Sequence, residues 1–245
     1  MVYRFPLPSY PICSEIRTRK LRICFMKIIV AITGASGAIY GLRLLEKLRQ
    51  RNDVEIHLVM SRSGERTLHI ETGMLAKDVR ALASHNYPFE DIGCRLASGS
   101  FSTDGMAIAP CSIHTMSAIA TGVSNNLVVR AADVTLKERR RLILMVRESP
   151  FHLGHLRTMV SLAEMGAIIA PPVPAFYHQP KEIVDLVDHS VDRVLDLLGC
   201  PAPDAKRWDV AGAGSTAATL NAVSSGSATD SARAAAPSVE QSLGE

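Results

Sequence analysis

The residues most suited to chemistry begin at Thr33-Gly34-Ala35-Ser36-Gly37, between a β-branched apolar run and a segment of helical periodicity. Small residues there let backbone N–H groups approach an anion. The following helix adds the positive end of its dipole, and Ser36 adds a hydroxyl donor. The turn is neither a P-loop nor the full dinucleotide fingerprint, and tight packing alone would also call for such glycines. Ser61 follows a second apolar run and reads, alone, as a helix cap. Pro110-Cys111-Ser112-Ile113-His114-Thr115 follows a third, with two hydroxyls and free N–H groups at a helix start. Arg147-Glu148-Ser149-Pro150 ends a fourth. There Arg147 could grip a phosphate bidentately and Glu148 could move a proton, with a plain ion pair as the simpler reading. Pro171–Pro180 is a proline-stiffened loop that would present Tyr177 with little entropy to lose.

Alternating elements must position these groups. Short apolar runs predict strands at Lys27–Thr33, Val54–Met60, Met106–Ala109, Arg141–Val146 and Ala167–Ala170. Helical periodicity covers Ala38–Gln50, Glu65–Glu71, Lys77–Ala83, Ile113–Thr121, Asn125–Glu138, Leu153–Glu164 and Glu182–Leu198. Gly93–Asp104, rich in Gly and Ser, reads as a mobile loop. Five strands alternating with helices predict an α/β fold, a Rossmann-like three-layer sandwich with a parallel sheet and helices on both faces. Ligands of such sheets sit beyond the carboxyl ends of the strands, where the groups named above fall.

The bulk numbers narrow the function classes. The chain has 245 residues, 47% hydrophobic and 21% charged, with a net charge of +3. That suits one medium domain with a sizeable core and gives no sign of a nucleic-acid binder. No apolar run is long enough to span a membrane. The five scattered cysteines read as reduced thiols of a cytoplasmic protein, without a disulfide frame or zinc pair. Residues 1–25, basic and broken by prolines, read as a disordered extension, with a transit peptide as the alternative. Residues 26–209 read as the folded domain, and the Ala/Ser/Gly-rich 210–245 as a low-complexity disordered tail. The basic stretch Arg130–Arg141 reads by default as a solvated helix end. His152 and His155 have no carboxylate or cysteine in register for a metal, and Cys111 reads as a small core residue.

The ordered blocks TGASGAIYG (Thr33–Gly41), Glu71 in HIETG, PCSIHT (Pro110–Thr115), RAADVTLKERR (Arg130–Arg140), VRESP (Val146–Pro150) and PPVPAFYHQP (Pro171–Pro180) form a recognisable pattern. The chain from about Met26 to Trp208 resembles the UbiX-type flavin prenyltransferases, historically labelled aromatic-acid or polyprenyl-hydroxybenzoate decarboxylases. The resemblance implies transfer of a dimethylallyl group from dimethylallyl phosphate to N5 of reduced FMN, ring closure onto C6, and release of phosphate without a metal. Prenylated FMN would then serve a separate UbiD-type decarboxylase. It also implies a homo-oligomer, trimer to dodecamer, with sites at subunit interfaces. Gly34, Ala35, Ser36, Ser61, Ser112, Ile113, His114, Thr115 and Arg147 correspond to flavin contacts. Tyr177, Arg193, Lys137 and Arg130 correspond to ligands of the prenyl phosphate, and Trp208 to an aromatic cover of the prenyl pocket. Glu148 corresponds to the carboxylate that assists phosphate departure, and Glu71 to the one that helps proton loss during ring closure. Two positions depart from the pattern: Arg141 stands where Pro is common, and Gly73 where an acid is frequent.

Overall fold

The computed structural model describes residues 25–208. The expectations for residues 1–24 and 209–245 lie outside the described residues. The elements run β1 (Met26–Ile32), α1 (Ala38–Arg49), β2 (Val54–Met60), α2 (Arg62–Thr72), α3 (Ala76–Arg80), β3 (His85–Tyr87), β4 (Gly105–Cys111), α4 (Ile113–Thr121), α5 (Leu127–Lys137), β5 (Arg141–Val146), α6 (Leu153–Glu164), β6 (Ile168–Ile169) and α7 (Ile183–Leu198). The six strands form one parallel sheet in the order β3-β2-β1-β4-β5-β6. Strand order therefore reverses between β1 and β4, which opens a crevice at their carboxyl ends.

The alternation of β1 divides the core. Ile28, Val30 and Ile32 face α1 and α7, packing with Leu42, Leu45, Val191 and Leu195. Ile29 and Ala31 face the other way, with Met116, Leu127 and Ala131 of α4 and α5. Both faces of a parallel strand are buried, so the run has no polar alternation. On one side α7 is clamped to α1. Arg43 meets Asp188 with two parallel hydrogen bonds of 2.8 Å, and Lys47 pairs with Asp192 one turn further on.

Two sequence expectations need correction. A sixth strand, β3, pairs with β2 at the sheet edge through His57↔His85, Leu58↔Asn86 and Val59↔Tyr87. Its three residues, His-Asn-Tyr, carry no apolar run, so no periodicity marks it. The Gly93–Asp104 segment is not a bare loop. It contains a 3-10 turn at Arg95–Ala97 and buries Leu96 in the core. Arg140 donates to the carbonyls of Phe101 (2.9 Å) and Gly99 (2.8 Å) in that segment, so at least one cation of the basic stretch is structural. The two sequence departures are also explained. Gly73 caps α2 at φ 70°, a left-handed conformation that suits glycine, and Arg141 simply opens β5 at an exposed position.

Gly41 shows how closely α1 approaches the crevice. A Cβ there would lie 2.2 Å from the Ala109 carbonyl oxygen and 2.8 Å from Ile32 Cγ1. Helix propensity favours alanine over glycine by about 1 kcal/mol. The clash with a backbone oxygen outweighs it. Gly41→Ala is expected to lose about 1–3 kcal/mol in urea unfolding. Unchanged or increased stability would contradict this packing.

Candidate active site

A cleft of about 490 Å³ opens at the reversal point, lined by Thr33, Gly34, Ser61, Arg62, Ser63, Phe89, Glu90, Ser112, His114, Thr115 and Asn126. Thr33 ties its two walls together. The Thr33 hydroxyl donates to the Pro110 carbonyl at 2.7 Å and accepts from the Ser112 amide at 2.9 Å.

Three helices begin on this cleft. Ser61 caps α2, accepting from the Gly64 amide at 3.0 Å. Ser112 caps α4, accepting from the Thr115 amide at 3.3 Å and donating to the Thr115 hydroxyl at 3.1 Å. Asn126 caps α5, accepting from the Val129 amide at 3.1 Å. The capping reading of Ser61 and Ser112 is thus correct as far as it goes, and the same residues line the cleft. Three helix N-termini converge here and each favours an anion, while the lining Arg62 pairs with Glu90 at 2.9 Å. A phosphate-bearing, flat-ringed ligand such as FMN fits both this donor set and the volume. Asn126 and Ser63 were missed in the sequence, although an Asn before an apolar helical run is a capping signal.

The Gly34–Gly37 turn has a more specific arrangement than a simple anion cradle. Gly34 is needed for packing, since a Cβ there would lie 2.6 Å from Ser63 Cβ. The amides of Gly37 and Ala38 at the start of α1 are already taken. They donate to the Glu71 carboxylate at 2.9 and 2.8 Å. Glu71 therefore serves as the anion for α1. Ala35 is buried and Ser36 is exposed. On the other flank of the turn, Arg147 Nε donates to the Ser36 carbonyl at 2.9 Å. Glu148 is exposed beside it and accepts from the Ser149 amide at 3.0 Å. Ile113 and His114 occupy the first turn of α4, with His114 on the cleft wall. Cys111 is fully buried, and burial pushes its thiol up to about 12, so it stays protonated near neutrality.

The remaining candidates are spread over the chain. Tyr177 Oη is 2.7 Å from His189 Nε2, and His189 lies one turn before Arg193 on α7. Arg193 is mostly exposed, 3.7 Å from Asp196. Arg130 meets Asp133 at 2.5 Å and the Ala97 carbonyl at 3.2 Å. Lys137 ends α5, 2.5 Å from Glu138. The chain then turns into β5 at Arg141, which pairs with Gly105 at the amino edge of the sheet. Six residues of β5 separate that edge from Arg147, about 20 Å at roughly 3.3 Å per residue. One chain therefore holds Lys137 at the edge opposite the cleft. Trp208 is exposed and falls in a separate unit beginning at Lys206.

The Flavoprotein family profile matches residues 18–194. The chain is 52% identical over 184 residues to the flavin prenyltransferase UbiX of Escherichia coli K12, covering 74% of this chain and 97% of that one. The chain belongs to the UbiX-type flavin prenyltransferase family. A probable UbiX-like flavin prenyltransferase of Streptomyces sp. strain D7 is also 52% identical, over 183 residues, 75% of this chain and 92% of its own. Solved UbiX structures share the fold. A dodecameric FMN-dependent UbiX-like decarboxylase from Escherichia coli O157:H7 superposes with a TM-score of 0.74 at 47% identity, covering 75% of this chain and all of that one. AnUbiX (PadA1), in complex with FMN and dimethylallyl pyrophosphate, gives 0.74 at 46% identity, covering 76% and 98%. The Rossmann-like sheet expected from the sequence is thus that of the UbiX family.

Proposed function

We propose that this chain transfers a dimethylallyl group from dimethylallyl phosphate to reduced FMN. The observation that carries the reading is the turn Gly34–Gly37, flanked by Glu71 on its amides and by Arg147, next to Glu148, on its carbonyl. Two carboxylates bracket one turn beside a pocket for a phosphorylated ring, which suits a reaction with two proton transfers. Reduced FMN supplies the nucleophilic N5 and the ring carbon C6. Gly34, Ala35, Ser36, Ser61, Arg147 and the Ser112–Thr115 segment hold it, with its phosphate at the three helix N-termini.

Glu148 gives a proton to the bridging oxygen of the donor, so the allylic C–O bond breaks with its electron pair leaving on phosphate. Arg193, Lys137 and Arg130 neutralise that phosphate as charge develops, and Tyr177 is a further ligand of it. Glu71, held by two amides, accepts the ring proton during closure. Because Lys137 stands at the far edge of its own sheet, the second phosphate site is completed by a neighbouring copy in a homo-oligomer, trimer to dodecamer. The product goes to a UbiD-type decarboxylase. No helix among the described residues is long and apolar enough to cross a membrane. We place the enzyme, with residues 26–209 as its catalytic domain, in the cytoplasm.

The test is anaerobic phosphate release. One phosphate per FMN is expected from dimethylallyl phosphate, and none without reduced flavin. The pyrophosphate bound to AnUbiX makes the donor a real choice, so dimethylallyl pyrophosphate is tested beside it. Release without flavin, or from the pyrophosphate alone, would overturn this assignment. So would loss of carboxylate from a phenolic acid by this chain alone, as the older decarboxylase label requires.

A further inference from the structure

Glu55, His57 and His85 form a second cluster, away from the cleft. Glu55 and His57 stand two apart on β2 and so point to the same face, and His85 on β3 is the register partner of His57. One ligand atom from each of the three lies within 4.8 Å of the others. We propose that these three side chains bind one divalent transition metal of the zinc class and so staple the edge strand β3 to β2.

Three observations converge on a cation. His57 is fully buried, yet its Nε2 has no hydrogen-bond partner. Buried ring nitrogens are rarely left so. That atom lies 3.3 Å from Glu55 Oε1, without the alignment of a hydrogen bond. Two ligands bound tetrahedrally at about 2.0–2.1 Å are separated by about 3.3–3.4 Å, so this pair is already spaced for a shared ion. His57 Nδ1 is 2.9 Å from Tyr87 Oη. With Nδ1 donating to the phenol, Nε2 keeps its lone pair toward Glu55, the outer support typical of a metal-binding histidine.

His85 Nε2 is 2.8 Å from the same Glu55 oxygen. That contact must open by about half an ångström to admit the ion. His85 is partly exposed and can move. Two imidazoles and a carboxylate suit zinc, whereas magnesium and calcium prefer oxygen alone. Lys27 and Arg95 oppose the ion, both standing over the Phe101 ring that meets His57 edge-on at 5.3 Å. Their charge keeps the affinity moderate.

The cluster is not part of the transfer chemistry, because His57 is four residues before Ser61, about 13 Å along the strand. Its effect is on the wall of the cleft. β3 runs directly into Pro88 and on to Phe89 and Glu90, which line it. A metal at the root of that segment fixes the strand from which the wall departs.

The experiment titrates ZnSO4 into untagged, chelator-treated full-length protein by calorimetry, with thermal unfolding alongside. One equivalent per chain is expected, with a rise in melting temperature of several degrees. Glu55→Gln and His85→Asn should each weaken binding at least tenfold and abolish the thermal shift. Both side chains are partly exposed, so the fold should survive, and circular dichroism checks it. Tyr87→Phe should weaken binding about tenfold through His57 orientation alone. Absence of saturable binding overturns the proposal. Binding that persists in both Glu55→Gln and His85→Asn also overturns it, since the zinc then sits elsewhere, for instance at the adjacent His152 and His155 rings.

Discussion

Glu148→Gln is expected to bind FMN as the parent does, within about twofold, and to form product about 10²–10³ times more slowly, within the usual range for loss of a general acid. The substitution is nearly isosteric. Its amide oxygen can still accept from the Ser149 amide, so the end of β5 should keep its shape. Arg147 next to it is anchored independently on the Ser36 carbonyl. The loss therefore reports a proton rather than a displaced loop. The measurement is single-turnover kinetics with reduced FMN bound in advance, with affinity taken from quenching of flavin fluorescence. Full activity would show that another group protonates the leaving phosphate.

Arg193→Ala is expected to raise the KM for dimethylallyl phosphate by about 10–100-fold, since hydrogen bonds to charged groups contribute about 1.5–3 kcal/mol. FMN affinity should change less than about twofold. Arg193 is mostly exposed on α7, 3.7 Å from Asp196, and the clamp of α7 onto α1 uses Asp188 and Asp192 instead. Truncation should therefore leave the fold intact. Equal losses for both substrates, seen by steady-state kinetics and flavin titration, would assign Arg193 a structural role.

Much of this molecule can be read before any coordinates. Apolar, β-branched runs such as Lys27–Thr33 announce buried parallel strands, because both faces of β1 are covered and polar alternation is absent. The serines at 61 and 112 announce helix starts, and the starts lie at the carboxyl edge because strands and helices alternate. Other features depend on tertiary contact. β3 has three polar residues, and its pairing to β2 exists only once the sheet assembles. Arg140 looks like one more solvated cation, yet its guanidinium fills the Gly99–Phe101 turn. Glu71 is 34 residues from Gly37, and nothing local reveals that its carboxylate caps α1.

The site was legible as a set of residues and not as a geometry. Ser61, Ser112, His114 and Thr115 do share one cleft. Lys137 belongs to the opposite edge of its own sheet because α5 runs back against the strands. That follows from alternation alone and bears directly on which groups one chain can bring together. His189, bonded to Tyr177 and one turn from Arg193, lacked any signal except its i, i+4 spacing on a helix.

The most direct test of the account is the mass of the flavin itself. Purified protein, reduced FMN and dimethylallyl phosphate are mixed without oxygen, quenched, and the flavin is weighed by mass spectrometry. FMN heavier by one five-carbon prenyl unit is expected, formed only when protein and both substrates are present. Unmodified FMN after complete reduction, with the protein folded and flavin-bound, would contradict it.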